Sequence, residues 1–290
     1  MQELPFRETV LEELVEVHGI EWLAVFAYFD ETGMHGDAAP ITAVAGYLFS
    51  KDGAKSFRRK FDETIYPLLP PNENGEKTYR SAKCIPGRDQ FSLLPEPERE
   101  HIVDLLVDAI KKSVVLGVCI AIKKEDYAKA IASSPKLREL AGDKYSVCLI
   151  RCAENMAAWL DREKIPGRVH YLFEAGCAYQ NEANAILAKI SVSNELKTRY
   201  RWHGYSFVDK GPDVPQLFAP DLLAWEWQRA YINANNPQQY TEWRLTLKRL
   251  ADGTPFIPEM ETETSVGIRA LINVFYGLTL SGGADGGQAQ

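Results

Sequence analysis

Runs of apolar residues bounded by turn residues predict the strands of this chain. Residues 22–29 and 41–49 are apolar on both faces, which is typical of strands buried on both sides of a sheet. The short connection between them predicts a hairpin-like pair. Three later runs have the same character, so we predict five strands, over residues 22–29, 41–49, 113–122, 168–173 and 201–208.

Apolar positions at helical spacing predict helices between and after these strands. A basic segment at 51–60, a loop rich in Pro, Asn and Gly at 67–75 and a helix at 95–110 form an insertion before the third strand. The predicted helices cover residues 8–17, 51–60, 95–110, 125–131, 137–160, 181–190, 220–231, 240–250 and 265–276.

The order of these elements predicts a mixed sheet. Three consecutive strands can form an antiparallel meander, whereas strands separated by helices favour parallel pairing. This is the order of the ribonuclease H-like architecture. The expected fold class is therefore α/β, with a ribonuclease H-like mixed five-stranded sheet, flanking helices and a helical insertion at about 51–112. We expect one domain over residues 1–278, including a helical C-terminal extension at about 236–278, and a disordered tail at 279–290.

Composition and charge narrow the class of protein. The chain has 290 residues, with 33 basic and 40 acidic side chains and a formal net charge of −7. An acidic chain is not a general electrostatic coat for nucleic acid, so a polynucleotide would have to meet a local basic patch or bridging cations. No apolar run is long enough to span a bilayer, and the N-terminus lacks the pattern of a signal peptide. Five cysteines without metal-type spacing favour reduced thiols and a cytoplasmic location.

Three acidic residues lie where predicted elements begin or end. Asp30 is the first polar residue after the first strand, and Glu174 follows the fourth strand in the same way. Asp221 lies in the first turn of a later helix, where the helix dipole favours negative charge. If strands one and four are adjacent and parallel, Asp30 and Glu174 project from the same end of the sheet, and the helix can bring Asp221 against them. The sequence therefore predicts an acidic cluster, with Glu31 as an auxiliary acid.

Such a cluster favours a divalent metal site. Carboxylates held close together raise one another's pKa and resist ionisation, and divalent cations relieve that repulsion. Mg²⁺ or Mn²⁺ would be held by Asp30, Glu174 and Asp221, which leaves positions for phosphate oxygens. Two such ions can activate water and stabilise the leaving oxygen of a phosphodiester. Each acid also has a plainer explanation, because Asp readily closes turns and acids are common at helix starts.

Two of these segments resemble a known family. Residues 28–33, Tyr-Phe-Asp-Glu-Thr-Gly, resemble the "aspartate, glutamate, serine or threonine, glycine" opening of the domain-of-unknown-function 3800 family. Residues 220–225, Pro-Asp-Leu-Leu-Ala-Trp, resemble its closing helix, and residues 79–110 are similar to its middle segment. The similarity touches most of residues 22–235, and the order and spacing of the motifs support it.

The resemblance implies a ribonuclease H-like fold with metal-dependent nuclease activity. It carries over Asp30, Glu31, Glu174 and Asp221 as catalytic residues. The chain departs from the family where Pro220 replaces the alanine typical before the last aspartate, and the glutamine common three residues before that aspartate is replaced by phenylalanine. The middle segment also lacks the histidine that the family often has there. These departures concern the third ligand and the substrate contacts more than the fold.

Basic residues suggest where a substrate would lie. Lys77, Arg80, Lys83 and Arg88 lie in a segment rich in turn residues and are predicted to contact substrate, although simple solubility would also explain them. The basic residues of 51–60 are better explained as a solvated helix face. His35, in the loop after the first strand, is a candidate proton shuttle or an exposed turn residue.

These patterns favour one function over three alternatives. They predict a divalent-metal-dependent nuclease that hydrolyses phosphodiester bonds of RNA or DNA, with nucleic acid as its partner and no membrane. The main alternative is a catalytically inactive ribonuclease H-like module for binding or assembly, which the altered surroundings of Asp221 favour. A metal-free hydrolase using a carboxylate pair on sugars ranks below these. An actin-like ATPase ranks lowest, because residues 30–33 lack the early glycine of its phosphate-binding turn.

Overall fold

In the computed structural model, which describes residues 24–32, 39–133, 143–176, 180–234 and 244–261, six strands form one mixed sheet. Their bounds are β1 Ala24–Thr32, β2 Ile41–Ser50, β3 Val114–Lys123, β4 Arg168–Glu174, β5 Trp202–Val208 and β6 Phe256–Glu261.

The strand order across the sheet is β5-β4-β1-β2-β3-β6. β1 pairs antiparallel with β2, and β2 pairs antiparallel with β3. The remaining pairs, β1 with β4, β4 with β5 and β3 with β6, are parallel. The register places Phe29 beside Phe173, so β1 and β4 end side by side at the same end of the sheet.

Helices cover both faces of this sheet. Ser50 and Asp143 start two of them, because their side chains accept hydrogen bonds from the backbone N–H groups of Gly53 and Ser146. The helices are α1 Lys51–Lys60, α2 Ser81–Cys84, α3 Glu96–Ser113, α4 Lys124–Ser133, α5 Lys144–Arg162, α6 Gln180–Val192, α7 Asn194–Arg199, α8 Phe218–Ala234 and α9 Leu245–Ala251. Short helical turns lie at Phe61–Ile65, Tyr66–Leu68, Asp89–Phe91 and Pro215–Leu217.

The side chains of β1 alternate between two cores, one on each face of the sheet. Phe29 lies in the core that α5 covers, together with Met156. Tyr28 lies in the opposite core, together with Leu223 of α8. Because both faces are covered, an apolar side chain is favoured at every position of these central strands, which explains why their sequences are continuous apolar runs.

All five predicted strands are present, but the predicted five-stranded sheet is wrong because β6 is a sixth strand. β6 lies within residues 236–278, where we predicted a helical extension. It contains Pro258, and a proline within a short run argues against predicting a strand from the sequence. Proline is tolerated here because β6, among the described strands, lies at the edge of the sheet and pairs only with β3. The described residues therefore form an α/β structure with a mixed six-stranded sheet.

Most predicted helices are confirmed, with shifted ends. The helices predicted at 137–160 and 240–250 correspond to α5 and α9 in their described part, while residues 137–142 and 240–243 lie outside the described residues. α7 was not predicted. The helices predicted at 8–17 and 265–276 and the tail predicted at 279–290 lie outside the described residues. No helix in the described part of the chain combines the length and apolar character needed to cross a membrane.

The insertion between β2 and β3 packs on the same face of the sheet as α8. α1 lies against α3, and α2 lies against α8. The ring of Tyr79, just before α2, contacts the ring of Phe218 at the start of α8, with 6.0 Å between their centroids. The residues around α2 are therefore held against the first turn of α8, where Asp221 lies.

Candidate functional site

The fold brings Asp30, Glu174 and Asp221 to one place. Asp30 lies near the end of β1, and Glu174 is the last residue of the neighbouring parallel strand β4. Asp221 lies in the first turn of α8, which packs across β1 and β2. The exposed fractions of their side chains are only 4%, 11% and 14%. Three carboxylates are therefore gathered in a largely buried position; we call them the carboxylate cluster.

The ammonium group of Lys210 lies between these carboxylates. Its Nζ donates to Oδ2 of Asp30, and it lies 2.7 Å from Oε2 of Glu174 and 3.1 Å from Oδ1 of Asp221. The Lys210 side chain has no exposed surface. An ammonium group has three N–H donors, so each carboxylate receives one of them.

The other oxygen of each carboxylate is also engaged. Oδ1 of Asp30 accepts a hydrogen bond of 2.8 Å from the backbone N–H of the next residue. Oδ2 of Asp221 accepts one of 2.6 Å from the backbone N–H of Ser81, the first residue of α2. Oε1 of Glu174 lies 2.6 Å from Nη2 of Arg80. All six carboxylate oxygens therefore have partners, and the insertion supplies two of those partners.

Burial and neighbouring charges set the pKa values of the cluster. Burial raises the pKa of Asp30 well above its ordinary value; Lys210 offsets this only in part, and Asp221 adds to it. Burial alone would also raise the pKa of Glu174, but Lys210 and Arg80 hold it below its ordinary value. Lys210 and a backbone hydrogen bond lower the pKa of Asp221 in the same way. Asp30 is therefore the carboxyl that takes up a proton most readily.

The two basic groups remain charged. Burial alone would lower the pKa of Lys210, but attraction to Asp221, Asp30 and Glu174 raises it above its ordinary value. The pKa of Arg80 is raised too, because Glu174 and Asp221 outweigh the effect of its burial. Lys210 is therefore a fixed positive charge rather than a nucleophile or a general base.

Glu31, the predicted auxiliary acid, lies beside the cluster. Burial, followed by the negative charge of Glu174, raises the pKa of Glu31 to about 7. Its Oε2 is inaccessible to solvent and has no hydrogen-bond partner among the described residues. A carboxyl group with a pKa near neutrality is suited to exchange a proton.

Lys210 is the site residue that sequence reasoning missed. It lies in the loop at 209–213 between β5 and α8, and the Gly and Pro in that loop predict no more than a turn. Because β5 is parallel to β4, its C-terminal end falls at the same end of the sheet as Glu174. Applying to β5 the rule that was applied to β1 and β4 points to this loop, since ligand sites collect at the carboxyl ends of parallel strands, but the first polar residue there is Asp209 and not Lys210.

Of the four basic residues predicted to contact substrate, Arg80 is the one whose observed contacts place it at the cluster. Its side chain is 41% exposed although its guanidinium pairs with Glu174. Lys83 pairs with an aspartate of the same segment at 2.8 Å, and the Nζ of Lys77 lies 5.4 Å from the centroid of a tyrosine ring. Arg88 is exposed. His35 lies outside the described residues.

The donor set of the cluster suits a hard divalent cation, since Mg²⁺ and Mn²⁺ prefer carboxylate oxygens. Within the part of the chain that the structure describes, no three Asp, Glu, His or Cys side chains are arranged around a space for a metal ion. Between the carboxylates lies instead the ammonium group of Lys210. The repulsion that we expected a divalent cation to relieve is thus reduced by Lys210 and Arg80.

Comparison of the chain with family models, with curated proteins and with solved structures finds no match. The resemblance to the domain-of-unknown-function 3800 family therefore stays a prediction. What the fold and the site define is an α/β protein with a buried carboxylate cluster at the shared end of β1 and β4.

Proposed function

We propose that this chain is a ribonuclease H-like, divalent-metal-dependent hydrolase of phosphodiester bonds in nucleic acid. The observation that carries the proposal is the buried carboxylate cluster, built by β1, by its parallel neighbour β4 and by the helix that follows β5. The strand order supports it. The run β3-β2-β1-β4-β5 is an antiparallel meander followed by parallel strands, which is the pairing we expected for a ribonuclease H-like sheet; β6 was not part of that expectation.

Stability alone does not account for the cluster. Four acidic side chains, the three carboxylates and Glu31, face only two basic ones, Lys210 and Arg80. Removing charged groups from water is costly, and apolar side chains of similar volume are often at least as stabilising as a buried ion pair. Strongly perturbed pKa values in a polar cluster are common where a protein performs chemistry. An excess of buried acids is therefore better explained by function.

The residues divide into three roles. Asp30, Glu174 and Asp221 would hold the cation, whose charge would polarise the scissile phosphate and lower the pKa of a neighbouring water. Glu31, with its pKa of about 7, is suited to accept and return a proton. Arg80 has a partly exposed guanidinium beside the cluster, suited to paired hydrogen bonds with phosphate oxygens.

The test is cleavage of end-labelled RNA, DNA and RNA–DNA hybrid by the full chain, with Mn²⁺ or with a chelator. We expect cleavage that requires the metal, is lost in Asp30→Asn and is retained in Glu154→Gln. Glu154 is a suitable control because it is a largely buried carboxylate that pairs with arginines outside the cluster. Circular dichroism verifies that each variant is folded. Cleavage by Asp30→Asn at the rate of the parent, or undiminished cleavage in chelator, would show that the proposal is wrong.

A second candidate is a ribonuclease H-like module that binds or assembles without catalysis. The observation that favours it is Lys210, because an internal cation leaves the cluster less dependent on a bound metal. Calorimetric titration with Mn²⁺ separates the two candidates. A module of this kind need not bind Mn²⁺ at millimolar concentration, whereas the hydrolase must.

A further inference from the structure

Lys210 holds the oxygens that a metal ion would need. One oxygen of each carboxylate in the cluster contacts its Nζ, and the second oxygen of each is held by Arg80 or by a backbone N–H. No oxygen of the cluster is left without a partner. A cation that binds all three carboxylates must therefore compete with a group that the chain itself supplies.

We infer that Lys210 is an internal counter-ion, which occupies the carboxylate cluster in the metal-free protein and which a divalent cation must displace. The inference rests on the proposed function and adds that Lys210 limits how tightly the divalent cation binds. Oxygens lie about 2.0–2.1 Å from a bound Mg²⁺. An ammonium left 2.7 Å from Glu174 and 3.1 Å from Asp221 would then lie within a few ångströms of the metal, where like charges repel strongly.

The position of Lys210 allows this displacement. Lys210 lies in the loop between β5 and α8, so its backbone is outside both the strand and the helix. On the next residue, Gly211, an added Cβ would meet no atom of the described residues within 4 Å, so the loop backbone is not tightly packed at that position. The lysine stem has four methylene groups and can carry the ammonium several ångströms without movement of the sheet. By contrast, Asp30 and Glu174 belong to strands and cannot move apart as easily.

The experiment measures Mn²⁺ affinity by calorimetry in four forms of the full chain: the parent, Lys210→Met, Lys210→Arg and Lys129→Met. Methionine keeps the length of the stem without its charge, whereas arginine keeps the charge. Lys129 is an exposed lysine that pairs with Glu125, so its replacement controls for the loss of one positive charge elsewhere. We expect Lys210→Met to bind Mn²⁺ at least about tenfold more tightly than the parent. Lys210→Arg and Lys129→Met should show no gain.

Equal or weaker Mn²⁺ binding by Lys210→Met would overturn the inference, and so would an equal gain in Lys210→Arg. If Lys210→Met is unfolded without metal, its refolding is followed by circular dichroism during titration with Mn²⁺. Folding at Mn²⁺ concentrations below those that saturate the parent supports the inference, and failure to fold even with Mn²⁺ opposes it.

The same data separate this inference from the proposed function. If Lys210→Met binds Mn²⁺ more tightly than the parent but no form cleaves nucleic acid, Lys210 is still a counter-ion and the proposed hydrolase function is wrong. Metal-dependent cleavage by the parent, together with equal Mn²⁺ affinity in the parent and Lys210→Met, would support the hydrolase and overturn the counter-ion role of Lys210. Absence of Mn²⁺ binding in every form would overturn both.

Discussion

Two groups of charged side chains, on opposite faces of the sheet, differ in how their charges balance. On the face covered by α8, Lys210 is surrounded by three carboxylates, and this part of the site is nearly inaccessible. On the face covered by α5, Glu154 pairs with both Arg151 and Arg199, and Arg151 also lies 3.1 Å from Glu259 of β6. This second network has two acids and two bases, with side chains 19–33% exposed.

The difference separates a structural network from a candidate site. The Glu154 network joins α5 to α7 and β6, and its side chains are partly exposed. Burial would raise the pKa of Glu154, but Arg199 and Arg151 outweigh it and hold that pKa below its ordinary value. The carboxylate cluster is buried and has an excess of acid, which is costly for the folded state. A protein under selection for stability alone would not be expected to keep it.

Replacing Lys210 with methionine should destabilise the metal-free protein by about 3 kcal/mol, because three buried carboxylates lose their shared cation. The measurement is urea denaturation in the presence of a chelator, followed by circular dichroism. Lys129→Met, which removes an exposed lysine, should leave the unfolding free energy nearly unchanged. If both variants have the same unfolding free energy, Lys210 does not stabilise the carboxylate cluster, and the contrast with the Glu154 network is wrong.

Another buried acid, Glu226 of α8, should make stability depend on pH. Among the described residues, Arg244 pairs with its carboxylate at 2.7 Å, and Arg229 adds a weaker attraction. Burial raises the pKa of Glu226 above its ordinary value of 4.5, and Arg244 offsets this only in part. The folded state therefore binds this proton more tightly than the unfolded state, so the contribution of Glu226 to stability falls as the pH rises above 4.5.

Glu226→Gln cannot lose that proton, so its stability relative to the parent should increase with pH over this range. Urea denaturation of both proteins at a series of pH values measures the difference. The effect should be smaller than the loss of Lys210, because Glu226 is a single carboxyl with its own basic partner. A difference that stays constant with pH, or that moves the other way, would show that burial does not control this group.

Replacing Arg199 with methionine should have the smallest effect, about 1 kcal/mol or less, because its side chain is 33% exposed and Glu154 keeps its pair with Arg151. Urea denaturation of the parent and of Arg199→Met measures this change in unfolding free energy. Metal binding and any phosphodiester cleavage should be unchanged. If Arg199→Met lowers the unfolding free energy as much as Lys210→Met does, the Glu154 network is as important for stability as the carboxylate cluster and the contrast between them is wrong.

The positions of Asp30 and Glu174 show what could be predicted. Each follows a continuous apolar run, and such runs mark central strands because side chains of both faces are buried. Once β1 and β4 are taken as parallel neighbours, their ends must meet. Asp221 could be placed on its helix, but only the packing of α8 across β1 and β2 brings it to the other two.

Lys210 and β6 show what could not be predicted. Lys210 belongs to a loop, where no periodic pattern states the direction of a side chain. β6 contains Pro258, and it is a strand through its pairing with β3, which lies far from it in the chain. In both cases the deciding contact joins residues that are distant in the chain, so no local pattern records it.

By itself, the sequence determined the central strands, the helices with clear apolar faces and the acids at the ends of those elements, because solvent exclusion imposes a regular spacing on apolar residues. Tertiary structure decided which charges face one another. Lys210 lies 2.7 Å from an oxygen of Glu174, 36 residues earlier in the chain, and it also contacts Asp30 at the end of the first strand. Electrostatic interactions act through space, so their balance exists only after the strands have paired and α8 has packed on them.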